Sequence, residues 1–232
     1  MPKTEEKKKM ISLLNMDCMD LMADHSDNYF DVAIVDPPYG IGMDLQYNNG
    51  IRKTNYKKKQ WNDSIPSQEY FIELHRVSKH QIIWGCNYYA KYIPSVGRII
   101  HDKKIRTNGT KLGFSECDIA SCSKQKRITI YEYTWSGNKQ GKVVNWDNSG
   151  IDARIHPAQK PISLYEWLLI NYADKGDKIL DTHLGSGSIA IACYNYNFDL
   201  VGCEIDKDYY DQMILRYNNH ISQQRLVFNE NA

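Results

Sequence analysis

A chain of 232 residues with 42% hydrophobic and 25% charged residues matches ordinary globular usage, which excludes a disordered, collagen-like or coiled-coil protein. Its 29 basic and 28 acidic residues leave a formal charge of +1, which excludes a uniformly basic nucleic-acid coat but leaves room for a localised basic face. No apolar run reaches the roughly 18 residues of a membrane span, and the six cysteines form no C-x-x-C pair, so neither a zinc spacing nor a small disulfide framework is expected.

The charged start, Met1 to Met10, reads as a disordered tail rather than a signal peptide, so the expected location is cytoplasmic, away from any membrane. Short β-branched runs then predict strands at Ile11–Asn15, Asp31–Asp36, Gln81–Gly85, Arg98–His101, Asp118–Ser121, Thr129–Thr134, Lys178–Thr182 and Leu200–Glu204. Helical periodicity falls at Ser67 to Val77, Ile162 to Tyr172, Ser186 to Tyr196 and Asp206 to His220. Strands alternating with helices predict an α/β fold: a doubly wound, mostly parallel sheet with helices on both faces. Residues 11–232 are expected to form a single domain. Two polar stretches break the alternation, 40–64 and 104–150, and read as an inserted basic loop and an inserted, β-rich segment.

Charge is unevenly placed. Residues 98–142 hold 10 basic and 4 acidic side chains, whereas 143–232 hold 7 basic and 12 acidic. A second basic island, Arg52, Lys53, Lys57, Lys58 and Lys59, lies in a stretch with no acid between Asp44 and Asp63. A solvated face explains such runs; a phosphate-binding footprint explains them equally well, with Arg52, Lys53, Lys57, Lys58, Lys59, Arg106, Lys124 and Arg127 as its contacts.

Three motifs carry chemistry. Asp36-Pro37-Pro38-Tyr39 follows the second strand, where open α/β sheets bind ligands. The prolines fix the backbone, so the Asp36 carboxylate and the Pro37 carbonyl can each accept a hydrogen bond from an –NH2 group, and Tyr39 offers a ring to stack on a planar amine. An ordinary strand-ending turn is the alternative. Asp181-Thr182-His183-Leu184-Gly185-Ser186-Gly187-Ser188 follows another strand. Its glycines permit close backbone approach to a ligand, and the next strand ends in Glu204, placed to accept hydrogen bonds from ribose hydroxyls. With no basic residue in that turn, a nucleoside without phosphates fits better than a dinucleotide. His156-Pro157-Ala158-Gln159-Lys160-Pro161 precedes the helix from Ile162, and Pro161 suits a helix start.

In this order the three blocks resemble the class I S-adenosylmethionine-dependent DNA amino-methyltransferases, and more narrowly the permuted β group, in which the D-P-P-Y block precedes the glycine loop. Asn15-Met16-Asp17-Cys18-Met19 resembles the N-terminal D-C block of that family, and Trp84-Gly85-Cys86-Asn87-Tyr88-Tyr89 its strand after the catalytic loop. The likeness spans Ile11 to Tyr217. Thr182 and His183 replace the family's Pro and Phe.

The resemblance implies S-adenosyl-L-methionine as cofactor, held by Asp17, Cys18, His156, Lys160, Asp181, His183, Gly185, Ser186, Gly187, Glu204 and Ile205, with Lys160 and His156 closing over its methionine end. Asp36, Pro37, Pro38 and Tyr39 become the catalytic loop, and no metal is required. The implied reaction is direct methyl transfer to N6 of adenine in double-stranded DNA after base flipping, with cytosine N4, an RNA adenine or a silent DNA-binding subunit as alternatives. Within 104–150, Arg106, Asn108, Lys124, Arg127, Tyr131, Tyr133 and Trp135 become the candidate base readers. The resemblance also leaves a homodimer and a cognate restriction nuclease open as partners.

Overall fold

A computed structural model describes residues 9–42, 62–105, 115–136, 139–141, 143–144, 152 and 154–229. In chain order the elements are β1 (Ile11–Leu14), α1 (Cys18–Ala23), β2 (Phe30–Val35), α2 (Gln68–Val77), β3 (Ser78–Trp84), β4 (Gly97–Asp102), β5 (Cys117–Cys122), β6 (Ile128–Glu132), β7 (Trp135–Ser136), β8 (Lys139–Gln140), β9 (Val143–Val144), α3 (Ile162–Tyr172), β10 (Lys178–Asp181), α4 (Ser188–Tyr196), β11 (Asp199–Cys203) and α5 (Lys207–Asn229). All eight predicted strands form. The periodicity gave no sign of α1, whose six residues are too few to display a helical face; Asp17 starts it by accepting from the Met19 amide at 2.7 Å.

Eight strands make one sheet in the order β1-β11-β10-β2-β3-β5-β4-β6. Every pairing is parallel except those of β5, which runs antiparallel to both β3 and β4. The inserted segment predicted at 104–150 is therefore smaller than expected, because β5 and β6 belong to the main sheet. What stands apart from it is a three-stranded antiparallel sheet, β7-β8-β9.

Strand alternation sorts the core into two layers. Val32, Ile34, Ile82, Trp84, Ile179 and Leu200 pack toward α3, α4 and Met213 of α5. Ala33, Val35, Ile83, Leu180 and Val201 pack toward α1 and α2 on the other face. On α2 the buried residues are Tyr70, Phe71, Leu74 and Val77, the i, i+1, i+4, i+7 stripe of a helix lying on a sheet. Each such side chain contributes about 1.5–3 kcal/mol of transfer free energy on burial.

The strand order also places the site. β10 and β2 are neighbours, yet the chain leaves β10 toward β11 on one side and leaves β2 toward β3 on the other. This is a topological switch point, where the two following loops diverge and leave a crevice. Those loops begin at Asp36 and at Thr182.

Candidate active site

The Asp36 loop is held from three directions. Tyr89, completely buried, donates its hydroxyl to the Pro37 carbonyl at 3.0 Å. Asn62 accepts from the amides of Tyr39 and Gly40 at 2.7 and 3.2 Å. The Tyr39 hydroxyl donates to Asp36 Oδ1 at 2.6 Å; burial pushes that phenol well above its ordinary value, and Asp36 beside it does the same, so it remains a donor. Gly85, with φ +71°, lies directly under the Tyr39 ring. The ring expected to stack on a base is itself stacked on Tyr88, 4.9 Å away at 13°.

Lys160 also reaches the catalytic loop. Its ammonium donates to Asp36 Oδ2 at 2.5 Å and approaches Tyr39 Oη at 3.3 Å. Burial pushes this ammonium down, but Asp36 and Asp118 outweigh burial and hold it above the ordinary lysine value. Asp118, on β5, was missed by sequence reading. Despite burial, Lys160, His101 and Lys103 hold its carboxyl well below the usual carboxylate range. No motif surrounds Asp118, and the only available signal was an acid beginning a predicted strand.

The second loop is built around two left-handed glycines, Gly185 (φ +50°) and Gly187 (φ +70°). The His156 ring covers Gly185 and packs edge-on against Tyr209, 4.4 Å away. Glu204 follows β11; its two carboxylate oxygens accept from the amides of Gly185 and Asp206, both at 2.9 Å. Ile205 beside it is 64% exposed and offers an apolar surface for a flat ring. Asn15 ties this corner to the end of β1 by donating to the Glu204 and Ile205 carbonyls, bringing Asp17 onto the same edge of the sheet.

Burial raises the Asp181 carboxyl to about 8, even though the His183 amide donates to it at 2.9 Å. His183 is pushed down to about 4 by burial, so it stays neutral. Its Nδ1 meets Thr182 Oγ1 at 2.9 Å, which in turn meets Tyr70 Oη at 2.7 Å. The pair that replaces the family's Pro-Phe thus packs through a polar chain. The Cys18 thiol is pushed up to about 12 by burial and by Asp17, so it carries no thiolate chemistry near neutral pH. Ser186 sits behind the turn, its carbonyl accepting from Arg216 at 2.6 Å.

The expected basic footprint divides. Arg52, Lys53, Lys57, Lys58, Lys59 and Arg106 (with Asn108) lie outside the described residues. Lys124 and Arg127 are not brought to the site. Because β5 is antiparallel to β3, pairing Ile82 with Cys122 and Trp84 with Ala120, it delivers the turn after Cys122 to the edge opposite Asp36. There Lys124 faces Asp174 and Asp177 at 3.5 and 4.0 Å, and with Arg127 it lines an open cleft of about 590 Å³ beside the end of α3. Two of the aromatic reader candidates are also structural. Tyr131 donates to Ser163 at 3.0 Å and packs on Trp167, and Trp135, 7% exposed, donates to the Gln159 carbonyl at 2.7 Å. Tyr133 stacks on Tyr131 and lies over Gly141.

The family model described as DNA methylase matches residues 101–215. Type II methyltransferase M.HpaI of Haemophilus parainfluenzae is 27% identical over 218 residues, covering 79% of this chain and 66% of its own length. Type II methyltransferase M2.MboI of Moraxella bovis is 24% identical, covering 94% and 91%. The chain is thus similar to DNA amino-methyltransferases along most of its length. The part of the chain that the family model matches contains His156, Lys160, Asp181, the glycine turn and Glu204, whereas the Asp36 loop precedes it. Its fold is that of the M1.HpyAVI–SAM complex, with TM-score 0.55 at 18% identity over 89% of this chain and all of that one. The PvuII DNA methyltransferase described as cytosine-N4-specific gives 0.58 at 14% identity, over 90% and 87%. Among the described residues no helix is long and apolar enough to cross a membrane.

Proposed function

We propose that this chain methylates the N6 amino group of adenine in double-stranded DNA, with S-adenosyl-L-methionine bound along the Gly185–Gly187 turn and Glu204, in the permuted β arrangement. The observation that carries the reading is the pair of acceptors on one fixed loop: the Asp36 carboxylate and the Pro37 carbonyl, across the β10–β2 crevice from a glycine turn backed by a ribose-competent acid.

The bound cofactor supplies an electrophilic methyl group; the chain supplies geometry and charge. An exocyclic amine is a poor nucleophile because its lone pair is delocalised into the ring. Hydrogen bonds from its N–H groups to Asp36 and Pro37 make the nitrogen more tetrahedral and free the lone pair. The same acceptors stabilise the positive charge that develops on nitrogen. Tyr89, Asn62 and Tyr39 keep the loop from yielding, so alignment is set before the base arrives. A stacked base cannot reach such a crevice, so the target is flipped out at a cost of a few kcal/mol. Cytosine N4 is the nearest alternative; Asp rather than Ser at position 36 supports adenine, by the tendency of the family.

The test pairs nucleoside mass spectrometry with calorimetry. Wild-type protein incubated with DNA and S-adenosylmethionine is expected to yield N6-methyladenine. Asp36→Ala is expected to yield none while binding S-adenosylmethionine as the wild type does. Full activity in that variant overturns the catalytic assignment, and N4-methylcytosine in the wild-type digest reassigns the base.

A further inference from the structure

Lys160 is one of the two charged donors or hydroxyls fixed on the Asp36 carboxylate, and it comes from 124 residues away. It is 6% exposed, and its ammonium lies over the Trp84 and Tyr39 rings, 5.3 and 5.9 Å from their centroids. The backbone around it is anchored as well. Its own carbonyl accepts from Ser188 Oγ at 2.8 Å, the preceding carbonyl accepts from Trp135, and Pro161 caps α3 immediately after it. A side chain fixed at both ends is not a surface lysine that happens to meet an acid.

We propose that Lys160 is a positioning residue for Asp36. This rests on the methyl-transfer reading of the Asp36 loop. A carboxylate oxygen has two lone pairs. Tyr39 takes one on Oδ1 and Lys160 takes one on Oδ2, which fixes the carboxylate plane and leaves one acceptor position on each oxygen for the target amine. Without the ammonium only Tyr39 holds the carboxylate, and its plane is fixed less tightly toward the amine.

A buried ammonium with one carboxylate and no further compensation is unfavourable. Asp118 supplies the second negative charge, and it is itself held by Lys103 at 2.7 Å and by His101 Nδ1 at 3.5 Å. His101 is completely buried on β4, and its Nε2 meets the Tyr133 carbonyl at 3.2 Å.

The experiment compares Lys160→Met, Lys160→Arg and Lys160→Ala with the wild type. Lys160→Met is expected to lower kcat about 100-fold, with the S-adenosylmethionine Kd and the DNA KM within roughly twofold. Lys160→Arg keeps the charge and recovers part of the loss, and added ethylammonium recovers part of it in Lys160→Ala. A Kd that rises in step with the loss, with kcat restored at saturating S-adenosylmethionine, returns Lys160 to the cofactor and overturns the proposal. Wild-type methylation in the same assay reports separately on the underlying reading.

Discussion

Replacing Gly85 by alanine tests whether the catalytic loop is held by packing from beneath. Gly85 has φ +71°, where an L-residue costs about 1–2 kcal/mol. The added Cβ also falls against the edge of the Tyr39 ring, 2.6 Å from Cδ1 and closer still to Cε1, and 2.8 Å from Tyr89 Oη. Tyr39 has little room to give. Tyr88 stacks on it, its hydroxyl is on Asp36 and its amide is on Asn62. Overpacking of this kind costs about 1–3 kcal/mol, so the total is about 2–5 kcal/mol. Gly176→Ala is the control, since Gly176 has φ +96° but nothing within 4 Å of its Cβ position; it reports backbone strain alone. Urea unfolding is expected to rank Gly85→Ala below Gly176→Ala by about 1–3 kcal/mol. If the Tyr39 hydroxyl is pushed from Asp36, kcat falls about 100-fold, while Gly176→Ala turns over normally. Equal stabilities together with wild-type turnover in Gly85→Ala would refute the reasoning.

Further predictions concern the cofactor corner. Glu204→Gln replaces one of two acceptor oxygens by an NH2 group facing a backbone N–H of Gly185 or Asp206. It is expected to cost about 1–3 kcal/mol of stability and to weaken S-adenosylmethionine binding about 10-fold or more by calorimetry. Asp181→Asn probes pH dependence. Burial raises the Asp181 carboxyl to about 8, above its unfolded value of about 3.9, so the folded state keeps a proton that the unfolded state releases. Its stabilising contribution is full below about pH 4 and is lost as pH rises through 8, at about 1.4 kcal/mol per unit. Asparagine keeps an acceptor for the His183 amide and carries no charge, so denaturation series between pH 4 and 8 are expected to slope less in the variant. An unchanged slope rules out a raised Asp181 as the source.

Local patterns carried most of the fold. The eight strands of the main sheet were legible because β-branched runs alternate faces or are buried outright, and α3 ends at Tyr172 as its periodicity indicated. The Asp36 loop and the glycine turn were legible because prolines and left-handed glycines act within a few residues of themselves. α1 was not, and neither was the true size of the segment between β4 and α3. A short strand looks the same in sequence whether it joins the main sheet or an excursion from it.

Sequence alone thus determined which residue types stand at the ends of β2, β10 and β11, and with them the chemistry the crevice can perform. Tertiary structure decided which distant charges meet those residues. The direction of β5 sends Lys124 and Arg127 to the far edge while it leaves Asp118 on the edge where β3 ends at Trp84. The strap before α3 turns Lys160 onto Asp36. Both outcomes depend on strand direction and crossover, which are set by packing across the whole sheet, and no spacing within a motif encodes them.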